Sequence, residues 1–404
     1  MAAPLDGIRV IEISSWIAAP ASTALMADLG ADVVKIEPPG GDALRGFNLR
    51  SMGIDFDFAT NYIFELDNRG KKSITVDLSK PGGPELVQKL GASCDVFVTN
   101  LIARRAARYG LTYEDVLRSN PGVVYASISG FGSEGPDQDR AGFDVSAFWA
   151  RSGIMSMIGE PGTPPAQCRG GQGDHTTSLN LLAAILAGLR MKDHTGEGQR
   201  VEVSLQGTGM WTLAGDMAAA LVSKQQAPRL SRDAPGQPVW NSYLCSDDRW
   251  VLLVNPVPFP KAWPQFAEMI GKPDWATDPR YQDIQGLVAD SRELTAVASA
   301  VFATRTSVDW GAEMDRRGLI WAPVASLPEV INDPQVREMG WITEVESEEF
   351  GSYETLDTPF KLYGTDTGVR GPAPSPGQHT FDVLADYGIT DDELDKLATD
   401  GVLG

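Results

Sequence analysis

The densest chemistry in the sequence is the run Cys168-Arg169-Gly170-Gly171-Gln172-Gly173-Asp174-His175-Thr176-Thr177. Glycines let a ligand approach the backbone. Asp174 stands at the head of an apolar stretch, TTSLNLLAAILAGLRMK, that reads as a long helix. Two roles fit such an aspartate. As an N-cap it accepts backbone N–H groups of the first turn, a contribution of ~0.5–2 kcal/mol. As a nucleophile it must stay ionised, face a cavity and have amide donors nearby for an oxyanion, which Gly170, Gly171 and Gly173 would suit. His175 is adjacent, and neighbours on a helix point in different directions, so it reads as a supporting group. Cys168 has no recognisable histidine partner and no G-x-S-x-G occurs, which disfavours cysteine and serine hydrolases.

Cations that could meet an anionic ligand cluster twice. Arg69-Gly70-Lys71-Lys72 precedes an expected strand, and Arg104-Arg105 with Arg108 follows Asn100 at the end of another. Arg104 and Arg108 are four apart and would share a helix face. The plain alternative for both clusters is a solvated charged surface. The loop Ser14-Ser15-Trp16-Ile17-Ala18-Ala19-Pro20 lacks the GxGxxG that admits a dinucleotide pyrophosphate, and no GxxxxGK[ST] is present. A nicotinamide enzyme or a P-loop NTPase is therefore disfavoured.

The elements that must position these residues alternate. Strands are expected over 9–13, 32–36, 73–78, 94–98, 123–129 and 200–205, with helices over 22–29, 83–90 and 112–118 and the long one from Asp174. That rhythm predicts an α/β fold with a mostly parallel, Rossmann-like sheet. Beyond about residue 225 prolines, aromatics and short segments replace it, and a second, smaller domain is expected. Its tryptophans, Trp240, Trp250, Trp263 and Trp275, would line an apolar pocket or fill a core. In the tail, Thr390 and Glu393 predict a capping box.

Of 404 residues, 42% are hydrophobic and 22% charged, enough for a sizeable core. The net charge of −20 argues against nucleic-acid or anionic-membrane partners. Residues 1–110 carry 12 Lys+Arg against 13 Asp+Glu, and the remainder 22 against 41. A neutral first third fits cations kept for a polyanionic ligand, or a drift in composition. Three scattered cysteines and three histidines predict neither a disulfide framework nor a metal site, and fit a reducing cytosol. No signal peptide and no run near the ~18–20 apolar residues of a membrane span is read, so a cytoplasmic protein is expected.

Six stretches in order resemble the class III CoA-transferases, a family that includes formyl-CoA and carnitine CoA-transferases and the α-methylacyl-CoA racemases. They are PLDGIRVIEIS…AAPASTALMADLGADVVKIEPPGGDALR, NRGKKSITVDLSKPGG, DVFVTNLIARRAARYGL, NPGVVYASISGFGSEGP, GDHTTSLNLLAAILAGLRMKDHTGEGQRVEVSL and GQHTFDVLADYGITDDELDKL. The resemblance implies a large Rossmann-like domain (1–210, completed by 335–404), a small inserted α+β domain (225–330) and an interlocked homodimer. It implies transfer of coenzyme A from an acyl-CoA to a carboxylic acid with no metal or nicotinamide. Asp174 would be the nucleophile, passing through an aspartyl-CoA thioester. CoA would lie along Ile17 and Ala18, with Val76 and Leu78 on the third strand at its adenine end. Asn100, Leu101 and Arg108 would contact it from the fourth strand's loop, and Phe143 from the loop before the helix expected over FDVSAFWARSG.

Three departures from the family's pattern matter. Asn100-Leu101-Ile102-Ala103-Arg104 replaces an Asn-Phe-Arg-Pro-Gly stretch, which moves a phosphate contact to Arg104. Pro38 stands where some transferases have an arginine. Phe143 replaces the histidine of racemase relatives, removing one of the acid/base pair for α-proton exchange, so transfer is preferred over the alternative, racemisation or isomerisation. The Gly-rich loop of formyl-CoA transferase is also not evident after Val254, where the chain reads Asn255-Pro256-Val257-Pro258.

Overall fold

The computed structural model describes residues 2–47, 61–255, 259–349 and 351–404. The segment 256–258, where a Gly-rich loop was looked for, lies outside them. The chain forms two compact units, one of residues 1–156, 167–223 and 335–404, the other of 157–166 and 224–334.

Apolar runs too short for helices pair in the first unit as six parallel strands. These are β1 (Arg9–Ile13), β2 (Asp32–Glu37), β3 (Lys72–Thr75), β4 (Val96–Thr99), β5 (Val124–Ser129) and β6 (Gln199–Ser204). Their order, β3-β2-β1-β4-β5-β6, reverses direction between β1 and β4, where Ile13 pairs in register with Thr99. Side chains alternate across the strands. Val10, Val33, Val96, Val98, Val124 and Ala126 pack on one face with α1 (Ala18–Asp28) and a long helix over Gln172–Thr195. Ile11, Val34, Ile74, Phe97 and Tyr125 face the other way. There they meet helices Gly83–Gly91 and Tyr113–Ser119 and two C-terminal helices, Thr380–Asp386 and Asp391–Thr399. Burial on both faces explains why the strands read as continuous apolar runs.

The expected strands and helices recur with shifted ends. The third strand stops at Thr75; Val76 follows in a single bridge to Leu403, and Leu78 lies beyond it in a turn, so neither is on the strand as expected. The sixth stops at Ser204, because Leu205 opens the next helix and Ser204 caps it through Gly207 N–H. Thr390 and Glu393 form the capping box. Among the described residues no helix is long and apolar enough to cross a membrane.

The second unit holds a three-stranded antiparallel sheet, Trp240–Leu244, Trp250–Val254 and Trp321–Pro323, covered by helices. Its core is aromatic: Tyr243 stacks on Phe302 at 4.4 Å and Trp263 on Trp275 at 5.9 Å. Trp263 and Trp275 thus belong to a core, while Trp240 is half-exposed and Trp250 carries Arg232 over its ring.

The sheet of the first unit also buries charge. Glu12 of β1 accepts Lys35 Nζ at 2.9 Å, Lys71 Nζ at 2.8 Å, Ser14 Oγ at 2.7 Å and Thr23 Oγ1 at 2.6 Å. Lys35 also pairs with Asp42 at 2.9 Å, and Arg69 with Asp28 at 2.6 Å. The cluster at 69–72 therefore forms neither a phosphate site nor a solvated surface: Arg69 and Lys71 are spent on buried carboxylates and Lys72 on Asp32. Burial alone would raise the Glu12 pKa, but the two ammonium groups hold it far below the usual carboxylate range. Removing one partner from a buried pair leaves the other charge stranded, at a cost of about 3–5 kcal/mol. Glu12→Gln is therefore expected to lower the unfolding free energy by about that amount, read as a fall in the urea midpoint with the m-value unchanged. A loss under ~1 kcal/mol, the range of surface ion pairs, would show that the network does not hold the sheet together.

Candidate active site

Parallel sheets bind ligands beyond the carboxyl ends of their strands, where the order reverses. Here that crevice lies between the loops after β1 and β4, and the buried charges shape it. Lys35 Nζ also holds Ser14 O at 3.2 Å, and Asp42 Oδ1 accepts Trp16 N–H at 3.1 Å. Trp16 has φ +71°, a left-handed conformation that costs a non-glycine residue of order 1–3 kcal/mol and persists because such contacts over-determine it. Asn100, leaving β4, donates to Ser15 O at 2.7 Å and accepts Ser15 N–H at 3.2 Å, bolting the two loops together.

The long helix over Gln172–Thr195 starts at this end of the sheet. Its N-cap is Gly171, at φ +95°, so Asp174 is not the cap but the third residue of the first turn. The capping carboxylate comes from elsewhere. Asp144 Oδ2 accepts Gly171 N–H at 2.6 Å and Asp144 Oδ1 accepts Gly173 N–H at 3.0 Å. Those two amides are consequently not the free oxyanion donors that the glycine run suggested. The amides of Gly170 and Gln172 have no acceptor among the described residues and are the donors left over. Gly173 is required by space, since a Cβ there would lie 2.2 Å from both Asp144 Oδ1 and Phe148 Cγ.

Next to Asp174, His175 is clamped from both sides. Its Nδ1 lies 2.8 Å from Gly171 O and its Nε2 2.9 Å from Asp67 Oδ1, on the helix Tyr62–Asn68. Asp67 is 1% exposed. Burial alone would lower the His175 pKa, but the bond to Asp67 and that carboxylate's charge raise it to about 9. Asp174 accepts no hydrogen bond from any described residue. Burial and then the charge of Asp144 push its pKa up to about 7, with the His175 charge pulling the other way. Burial also raises Asp144, against the two amides that stabilise its charge.

The other expected residues divide into groups. Ile17 immediately precedes α1 and faces the helix start: a Cβ on Gly171 would be 3.7 Å from its Cδ1. Ala18 opens α1 beside it. Phe143, more than half exposed, meets Trp16 edge to face at 5.4 Å, and its neighbour is the capping Asp144. The segment FDVSAFWARSG forms a π-helical turn over Val145–Ala150 rather than an α-helix. Leu101 and Ile102 line a cavity of about 190 Å³ that reaches to Ser127 and Arg200. Arg104, Arg105 and Arg108 are exposed on the helix Ala103–Tyr109, and none forms an ion pair among the described residues. Val76 is fully buried, its side chain in the core and its N–H bonded to Glu37 O at 2.8 Å. Sequence reasoning missed Asp67 and Asp144; the FD dipeptide before an expected helix was the one available signal for the latter.

A model of CoA-transferase family III matches residues 5–380. The (R)-2-hydroxy-4-methylpentanoate CoA-transferase of Clostridioides difficile is 31% identical over 395 residues, 97% of this chain and 98% of that protein. The succinyl-CoA:glutarate CoA-transferase of Mus musculus is 30% identical over 404 residues, 99% and 90% respectively. A crystal structure of a CAIB/BAIF family protein from Brucella suis superposes with a TM-score of 0.83 at 28% identity, covering 96% of this chain and all of that one.

The helix start yields a test. Gly173→Ala must displace both Asp144 and Phe148, an overpacking cost of about 1–3 kcal/mol. It is expected to lower thermal stability by that amount, whereas Gly170→Ala, where the nearest atoms would be 4.0 Å away, should leave it within ~0.5 kcal/mol.

Proposed function

The chain belongs to CoA-transferase family III, and on that premise we propose that it moves CoA from an acyl-CoA donor to a carboxylic acid through a thioester on Asp174. The observation that carries this reading is the state of three neighbouring carboxylates. Asp144 is bound by two amides and Asp67 by His175, while Asp174 is unbonded in the first turn of a long helix. A carboxylate serving only as a cap would accept those amides itself.

In the proposed reaction an Asp174 oxygen attacks the thioester carbonyl carbon, the C–S bond breaks, and CoA leaves as thiolate from a mixed anhydride. The thiolate then attacks the aspartyl carbonyl, the anhydride C–O bond breaks, and the donor acid departs as carboxylate. An incoming carboxylate attacks the aspartyl thioester and re-forms an anhydride and thiolate. Attack of that thiolate on the substrate's carbonyl gives the new acyl-CoA and restores Asp174. One carboxylate enters and one leaves, so no net proton is exchanged. Each tetrahedral intermediate needs amide donors, each worth about 3–4 kcal/mol, and the unused N–H groups of Gly170 and Gln172 are the candidates.

CoA is placed along Ile17, Ala18, Asn100 and Leu101, with Phe143 flanking the acyl end. The backbone at Val76 and the turn at Leu78 would meet its adenine end. The unpaired cations Arg104 and Arg108 support a phosphate site on their helix face. Racemisation is the weaker reading, because Phe143 carries no proton and both His175 nitrogens are committed to acceptors. The second unit is proposed as the family's inserted small domain. A cytoplasmic homodimer is proposed as the working form, supported by Trp211, 76% exposed, and Val222, 88% exposed, on neighbouring helices of the first unit.

Asp174→Ala should abolish turnover and retain CoA binding, with no hydroxylamine-sensitive CoA adduct by mass spectrometry. Near-wild-type transfer by that variant would end the proposal. Asp174→Glu displaces the attacking oxygen by about 1 Å, and a loss of order 10²-fold in kcat is expected with the fold intact. Since only the ionised form attacks, adduct formation in the wild type should rise with pH through about 7 and level off above it.

A further inference from the structure

Two polar groups at the site have no part in the bond changes above: His175 and the buried Asp67. We infer that Asp67 is the positioning residue that holds His175 as a fixed imidazolium, and that this imidazolium acts on Asp174 through its charge alone. The second half of this inference rests on Asp174 being the nucleophile; the first half does not.

The geometry decides the protonation state. Gly171 O carries no proton, so at 2.8 Å the Nδ1 of His175 must be the donor. Asp67 Oδ1, at 2.9 Å from Nε2, is an acceptor when ionised, and then both ring nitrogens bear protons. Beside that bond, the backbone carbonyl of Asp67 accepts Lys71 Nζ at 2.8 Å, and the Lys71 ammonium is anchored to Glu12 at 2.8 Å. Asp67 Oδ2 is buried and has no hydrogen-bond partner among the described residues, where the bond to His175 is the one this carboxylate makes. With both protons donated to protein acceptors, His175 has no lone pair to offer a substrate and is no general base.

What remains is its charge. The charged groups facing the ring are Asp67 from the helix Tyr62–Asn68, Asp144 from the segment that caps the long helix, and Asp174 from the preceding position. Three carboxylates therefore share one cation. Without it, the repulsion of Asp144 and the cost of burial would leave Asp174 largely protonated near neutral pH, and a protonated acid does not attack a thioester.

The test uses the full-length protein labelled with ¹⁵N-histidine, the three histidines being told apart by His194→Gln and His379→Gln, which leave the His175 signals in place. In the wild type both His175 nitrogens should remain protonated well above pH 7. In Asp67→Asn, whose amide oxygen can still accept Nε2–H, the ring should lose its proton about one to three pH units lower. In His175→Gln, the acidic limb of kcat/KM should move to higher pH by about one unit, with the rate at pH 9 regained to within about threefold of wild type. If His175→Gln does not fold, the Asp67→Asn titration still decides the first half. A His175 that titrates near 6.5 in the wild type and does not move in Asp67→Asn overturns the inference. A loss in His175→Gln by the same factor at every pH shows a structural role only and overturns the second half. Should Asp174→Ala retain transfer, the nucleophile would be wrong, yet the histidine titration, read without turnover, would still stand or fall by itself.

Discussion

The site depends on which carboxylate the start of the long helix accepts. A helix N-terminus presents unsatisfied N–H groups and the positive end of a dipole, and it favours an anion by ~0.3–1 kcal/mol, up to ~2 in partly buried geometries. An aspartate within the first turn would ordinarily take those donors. Here Asp144 reaches in from 30 residues upstream and occupies the amides of Gly171 and Gly173. Asp174 keeps the favourable field of the helix end without the hydrogen bonds that would quench it. Gly171 at positive φ and Gly173 in close contact are the two backbone positions this arrangement cannot do without.

A carboxylate that accepts no hydrogen bond from the described residues is held in place by its surroundings, and these are fixed by buried charge. Replacing buried ion pairs by apolar side chains is often neutral or stabilising, so the Glu12 network is not explained by stability. Its members come from β1, β2, α1 and the segment before β3, and they tie Ser14 O and Pro20 O on either side of the first loop to the same cluster. Apolar packing is tolerant of small displacements, whereas a short charge-assisted bond fixes direction as well as distance. The left-handed Trp16 is held by that directional framework, and its ring forms the wall against Phe143.

Much of the fold was legible in the sequence because strands buried on both faces must be apolar. β1 ends where its apolar run ends, and the Thr390–Glu393 box is a local signal read correctly from spacing alone. The helix start was misread for a related reason. Asp174 stands where a cap would, and nothing local announces that a distant aspartate has taken the role. Asp67 and His175 are 108 residues apart, and the periodicity of neither segment encodes the other. Lys71 reads from the sequence as a cation for an anionic ligand or for a solvated surface, and nothing local marks Lys35, inside β2, as buried. Their burial follows from the presence of Glu12 opposite, a pairwise fact that single-residue patterns do not carry. The resemblance to a family pointed to Asp174, but it did not reveal the Asp144, Asp67 and His175 that surround it.

The same accounting bears on how an acidic chain could hold a polyanion. Lys35, Arg45, Arg69 and Lys71 all lie near strand ends, and each is neutralised by a buried or half-buried carboxylate. The near-neutral first third of the chain therefore reflects internal pairing more than a reserve of free cations. Three arginines on the helix Ala103–Tyr109 are exceptions, exposed and without an ion pair among the described residues, on a helix that directly follows the β4 loop. Charges more than about 8–10 Å apart across solvent are largely screened at physiological salt. The net −20 of the whole chain thus weighs less on a bound phosphate than a guanidinium in contact with it. Under the proposed reading, recognition and reaction are electrostatically separate: free arginines on one strand-end helix meet the phosphates. At the start of the long helix, a single clamped imidazolium serves three carboxylates. A cation shared between the two places would be drawn to the phosphates and leave the nucleophile protonated, which is the physical advantage of locking His175 to Asp67.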